Sequence, residues 1–98
     1  GDRYATYENT TGQSTYVSVS AWDTGKDARE FFDAYVKRTR LRYADARVIS
    51  ERPTAWSART SEGDVAIELR GNRVLVVEGI PAKANSRALI RLLWARSA

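Results

Sequence analysis

"VAIELRGNRVLVVEGIP", residues 65–81, decides the fold. Gly71-Asn72 lies between two apolar runs, with glycine first, the order that a type II′ hairpin turn prefers. A two-residue turn there pairs Leu69 with Val74, Ile67 with Val76 and Val65 with Glu78. Side chains alternate along a strand, so Val65, Ile67, Leu69, Val74 and Val76 share one face. Ala66, Glu68, Arg70, Arg73, Leu75 and Val77 share the other. The run Val74–Val77 is apolar on both faces, as expected of a central strand covered on two sides. Gly79 and Pro81 then take the chain out of the sheet, because proline cannot donate to a ladder. Glu78 stands just before that exit. Its place at the strand's end predicts a structural role at the rim, reaching water or an arginine such as Arg52 or Arg3.

Working back along the chain, "SEGD" (61–64) predicts a second tight turn, centred on Glu62-Gly63, which brings Trp56 and Ala58 onto the first face. Before it come "RVISERP" (47–53) and "TAWSART" (54–60), where Pro53 marks an edge strand or a bend. At the start of the chain, "DRYATYEN" (2–9) and "STYVSVSAW" (14–22) are rich in Tyr, Val and Thr and read as strands. The turn-like "TTGQ" (10–13) between them makes a hairpin.

Between these blocks, "DTGKDAREFFDAYVKRTRLRY" (23–43) is helical. Thr24 is placed to cap it, with Asp27 three residues on. Ala28, Phe31, Phe32, Tyr35, Val36, Thr39 and Tyr43 form one stripe of about five turns. That stripe is the partner of the Trp56/Ile67/Val76 face. Lys26, Arg29, Glu30, Asp33, Lys37 and Arg40 line the opposite side, and Asp33 and Lys37 are spaced for an ion pair. The second face of the sheet needs its own cover. "NSRALIRLLWARS" (85–97), with Asn85 or Ser86 as N-cap and a wide arc of Leu89, Ile90, Leu92, Leu93 and Trp94, supplies it. The expected fold is α+β: an antiparallel sheet of about five strands in ββαβββα order, packed against a long helix, with a C-terminal helix.

Ninety-eight residues with 43% apolar content fit one domain, residues 1–98. A chain that opens on Gly1 and contains no Met reads as a piece excised from a longer protein. No apolar run is long enough to span a membrane. The sequence has no Cys and no His. That removes thiolate nucleophiles, the Ser-His-Asp triad and His- or Cys-based metal sites. No calcium-loop or phosphate-loop pattern is present, since "TGK" (24–26) lacks the upstream glycine. The expectation is therefore no enzyme, no cofactor and no metal.

The net charge is +4, and every cation except Arg3 lies after residue 24. Lys37, Arg38, Arg40, Arg42 and Arg47 cluster at the end of the long helix. Cations favour a helix C-terminus for electrostatic reasons alone. The same cluster could hold an anion, with the aromatic residues of the first hairpin as a stacking surface. On this reading the candidate binding residues are Arg38, Arg40, Arg42, Arg47, Tyr7 and Trp22. The element order differs from that of RNA-recognition sheets, and nucleic acid is disfavoured as a partner.

"GDRY" opening a strand, "AWDTGKDAREFFDAY" (21–35) crossing from strand into helix, and the 65–81 hairpin together resemble a C-terminal α+β domain of predicted secreted or envelope bacterial proteins. In that setting the domain can follow a metallopeptidase-like or helical-repeat region. Its shared motifs are structural and name no catalytic residues. The resemblance implies a secreted or envelope location, with a cytoplasmic one left open, and an accessory role. Taken with the apolar residues Leu75, Val77, Ile90 and Trp94, the leading expectation is a non-catalytic accessory or protein-interaction domain. Its partner would be another protein or a neighbouring domain, with homo-oligomerisation left open. The alternative is an anion or nucleic-acid binding module.

Overall fold

The computed structural model describes residues 2–8 and 14–97, with side chains from Thr15 onward. Strands β1 (Asp2–Glu8) and β2 (Ser14–Ala21) lead into helix α1 (Gly25–Arg42). Strands β3 (Arg47–Arg52), β4 (Ala55–Thr60), β5 (Gly63–Arg70) and β6 (Arg73–Ile80) follow, and helix α2 (Ser86–Arg96) closes the described chain. All strand pairs are antiparallel, in the order β1-β2-β6-β5-β4-β3. The α+β fold with a helix-backed antiparallel sheet is therefore as expected, with one strand more than the ββαβββα order counted. The reason is local. Pro53 and Thr54 form a turn, and the segments on either side of it pair with each other, so 47–60 is a hairpin. The turn expected at 10–13 lies outside the described residues, but β1 and β2 pair as the hairpin requires.

The β5–β6 register is the predicted one, with Leu69 opposite Val74, Ile67 opposite Val76 and Val65 opposite Glu78. Gly71 has φ +60°, while no described non-glycine residue has positive φ, so Asn72 is negative as a II′ turn needs. The β4–β5 turn differs from its prediction. It is centred on Ser61-Glu62, with Thr60 opposite Gly63, and this pairs Trp56 with Ile67 and Ala58 with Val65. The register moves by two residues, an even step, so every side chain keeps its face.

The centre of the sheet is buried on both sides. On one, Ala28 and Phe32 from α1 and Tyr43 at its C-cap pack on Trp56, Ala58, Val65, Ile67, Leu69, Val74 and Val76. On the other, Leu93 and Trp94 from α2 pack on Val17, Ala66, Leu75, Val77 and Ile80. Thr24 caps α1 by accepting from the Asp27 N–H at 3.0 Å, and Asn85 caps α2 by accepting from the Ala88 N–H at 3.1 Å. The i,i+4 ion pair on α1 is Arg29–Asp33, at 3.6 Å, in place of the expected Asp33–Lys37 pair. Trp22 ties the β2–α1 crossing to the β5–β6 turn: its N–H donates to the Asn72 carbonyl at 2.8 Å, and the Asn72 amide donates back to its carbonyl at 2.7 Å.

Two glycines shape the far end of the sheet. The β5–β6 pairing steps from Val65–Glu78 to Asp64–Ile80, which leaves Gly79 as the extra residue of a bulge, with φ +82°. Gly63, with φ +108°, comes so close that a Cβ there would lie 2.9 Å from the Gly79 Cα. The bulge bends β6 directly after Glu78.

Candidate functional site

Glu78 sits on the α1 side of the sheet, half-buried, at the end of the most covered strand. A carboxylate in that position needs donors. Tyr35 supplies one, its hydroxyl donating to Glu78 Oε2 at 2.6 Å. The Tyr43 hydroxyl stands 3.5 Å from Oε1, a long contact for O–H···O. Both tyrosines come from the apolar stripe of α1, eight residues apart, so their hydroxyls converge on the end of β6 while their rings stay in the core. Burial, followed by the hydrogen bond to Glu78 and then that carboxylate's charge, raises the Tyr35 hydroxyl well above its ordinary range. Burial, followed by the Glu78 charge, raises Tyr43. Among the described residues these phenols, and no arginine, bond to Glu78. Arg52 lies on the edge strand β3, opposite Ala55 on the α2 side, and the side chain of Arg3 is outside the described residues. Asp23, the carboxylate just before the α1 cap, is at the opposite end of the sheet, next to Trp22 and its bonds to Asn72.

A cleft of about 420 Å³ opens over Glu78. Arg38 and Arg42 line it from α1, Tyr16 from β2, and Glu62 from the β4–β5 turn. The Arg38 guanidinium lies 5.3 Å from the Tyr35 ring centroid and that of Arg42 lies 5.1 Å from Tyr43, both within cation–π range.

A second concavity of about 430 Å³ lies on the α2 side. Helix α2 packs on β2, β6 and β5 but not on β4 and β3, and Ile49, Arg52, Ser57, Arg87 and Ile90 line the resulting groove. Its two carboxylates are occupied. Asp64 accepts from Arg59 at 3.1 Å, and Glu68 accepts from the Trp94 indole at 2.8 Å. Arg52 and Arg87 have no ion pair among the described residues. The groove borders the outer edge of β3, where Ile49, at a register shift between Val48 and Ser50, is 57% exposed.

The six residues singled out from the sequence are dispersed. Arg38 and Arg42 meet in the Glu78 cleft. Arg40 turns the other way, pairing with Glu51 above the Trp56 ring. Arg47 begins the edge strand. Trp22 is engaged in packing, its ring 4.9 Å from Phe31 and its indole N–H donating to Ser20 Oγ at 2.9 Å. Tyr7 belongs to β1, and its side chain is outside the described residues. Sequence reasoning missed Tyr35 and Tyr43 as partners of Glu78. The signal was available: two hydroxyls in a buried helical stripe and one carboxylate on the facing strand each need what the other has.

The family model of a domain of unknown function, DUF8575, matches residues 1–89. The chain belongs to that family. The match spans every strand, α1 and the first part of α2, so both concavities of this DUF8575 domain lie within or beside the shared region. No curated protein and no solved structure matches the chain. Among the described residues of the DUF8575 domain, no helix is long and apolar enough to cross a membrane.

Proposed function

We propose that this domain is a non-catalytic protein-interaction module of a larger bacterial envelope protein, and that it takes an extended, acidic segment of its partner as an added strand along β3. The observation that carries the reading is the outer edge of β3. It ends the sheet, and its exposed Ile49 lines a groove that holds the unpaired cations Arg52 and Arg87. Strand addition supplies main-chain hydrogen bonds, and alternate side chains of the added strand enter the groove. With Asp64 and Glu68 already occupied, the groove's remaining charge is positive, which complements a carboxylate. The lack of His and Cys in the sequence favours binding over catalysis. The envelope setting rests on the resemblance carried by the first strand, the helix cap and the central hairpin. A nucleic-acid reading loses support from the dispersal of Arg38, Arg40, Arg42 and Arg47, which share no single surface.

The test is a photo-crosslinking amino acid placed at Ile49 in the full-length protein in cells, with Leu41, 77% exposed on α1, as control. The reading expects one protein joined at Ile49 and not at Leu41, crosslinked through an acidic segment. Equal crosslinking at both positions, or none at Ile49, overturns it. Fractionation of the tagged parent protein tests the location: recovery in the soluble cytosolic fraction removes the envelope part of the proposal.

A further inference from the structure

The Glu78 cleft lies on the other side of the sheet from the β3 groove and has a different composition. Four charges line it, Arg38 and Arg42 from α1, Glu62 from the β4–β5 turn and Glu78 from β6. None of the four forms an ion pair among the described residues. Elsewhere the same protein pairs its charges readily, as in Arg59–Asp64 at 3.1 Å and Arg40–Glu51. In the cleft the two signs come from different elements and a gap separates them.

The groups facing that gap have free capacity. Glu78 Oε2 is committed to Tyr35 at 2.6 Å, which fixes the carboxylate, while Oε1 has only the 3.5 Å contact with Tyr43. Each guanidinium carries five N–H donors. Stacking over Tyr35 or Tyr43 uses its face and leaves those donor edges free. Tyr16, 38% exposed, gives the cleft an aromatic wall. A volume of about 420 Å³ suits a small molecule.

We propose that this cleft binds an amino-acid-sized zwitterion, its ammonium on Glu78 Oε1 and Glu62, its carboxylate on Arg38 and Arg42, and its side chain against Tyr16. The balance of two cations and two carboxylates disfavours a phosphate, which Glu62 and Glu78 repel. It also disfavours a simple amine, which Arg38 and Arg42 repel. A molecule with both signs closes the gap and satisfies all four groups. This site is independent of the β3 edge, so the failure of one reading leaves the other standing.

The experiment is an NMR titration of the protein with a panel of the common free amino acids. The best binder is then compared with its N-acetyl and carboxamide derivatives and with inorganic phosphate. The expected result is that at least one amino acid shifts the resonances of Tyr16, Glu78 and Gly79. Capping either end should weaken binding by about tenfold or more, the loss of one charge-assisted contact. Arg42→Gln is an exposed substitution that leaves the core intact, and it should abolish discrimination between the amino acid and its carboxamide. Glu78→Gln should do the same for the N-acetyl derivative. Failure of every amino acid to bind, equal binding of the capped forms, or tighter binding of phosphate overturns the proposal.

Discussion

Gly63 and Gly71 both have positive φ, yet replacing each with alanine should have very different consequences. At Gly71, φ is +60° and nothing lies within 4 Å of the Cβ position. An L-residue at the first position of a II′ turn carries backbone strain of about 1–3 kcal/mol and nothing more. At Gly63, φ is +108°, outside the left-handed helical region, and the new methyl would lie 2.9 Å from both the Cα and the carbonyl carbon of Gly79. Those are backbone atoms and cannot swing aside. Backbone strain of about 1–3 kcal/mol therefore adds to an overpacking cost of about 1–3 kcal/mol. Alanine also restricts the unfolded chain, which offsets about 0.4–1 kcal/mol in both variants and cancels in the comparison. Gly63→Ala should thus be about 2 kcal/mol less stable than Gly71→Ala. Urea denaturation reads this directly: at a slope of about 1 kcal/mol/M, the Gly63→Ala midpoint falls about 2 M below that of Gly71→Ala. If the two variants unfold within about 0.5 kcal/mol of each other, where surface substitutions ordinarily lie, the close approach of Gly63 to the Gly79 bulge is wrong. The placement of Glu78 beside that bulge would then be wrong as well.

Phe32, buried under α1, should lose about 3–5 kcal/mol on Phe32→Ala by thermal denaturation, and a loss below about 1 kcal/mol would mean that the α1 stripe is misplaced. Thr24→Ala removes the α1 cap and should cost about 1 kcal/mol, recovered in large part by Thr24→Ser. Tyr35→Phe leaves Glu78 Oε2 without its donor and should cost roughly 1–3 kcal/mol near neutral pH. Tyr35 also sets an alkaline limit on stability. Its hydroxyl is raised in the folded state, so its contribution is complete below the ordinary tyrosine range near 10 and declines as pH rises beyond it. Stability measured between about pH 9 and 12 should therefore fall less steeply in Tyr35→Phe than in the parent, and equal slopes would contradict the raised value.

The central hairpin was readable because several independent signals agreed. The Gly71-Asn72 turn sets the register, alternation assigns the faces, and the apolar run Val74–Val77 demands cover on both sides. Helix α2 then appears where that demand places it. The β4–β5 turn was misread by two residues in register because Glu62-Gly63 looks like a turn centre. In the structure Gly63 is needed as the first residue of β5, where it meets Gly79. That requirement is tertiary and leaves no local mark in the sequence. The strand count missed one for a similar reason: Pro53 marks a break, but whether the chain bends or reverses there depends on the pairing of β3 with β4. The position of Glu78 was correctly inferred, its partners were not. A search for an opposite charge passed over two phenols already assigned to the core. The β3 groove was unreadable because it exists only where α2 stops short of covering the sheet.

The claim that β3 is a docking edge is tested most directly by amide hydrogen exchange of residues 47–52 in the full-length protein, with and without the partner identified by crosslinking. The outward-facing amides of β3 should exchange readily alone and become protected when the partner is added, while those of β5 and β6 remain protected in both states. Protection of β3 that the partner leaves unchanged would contradict the account.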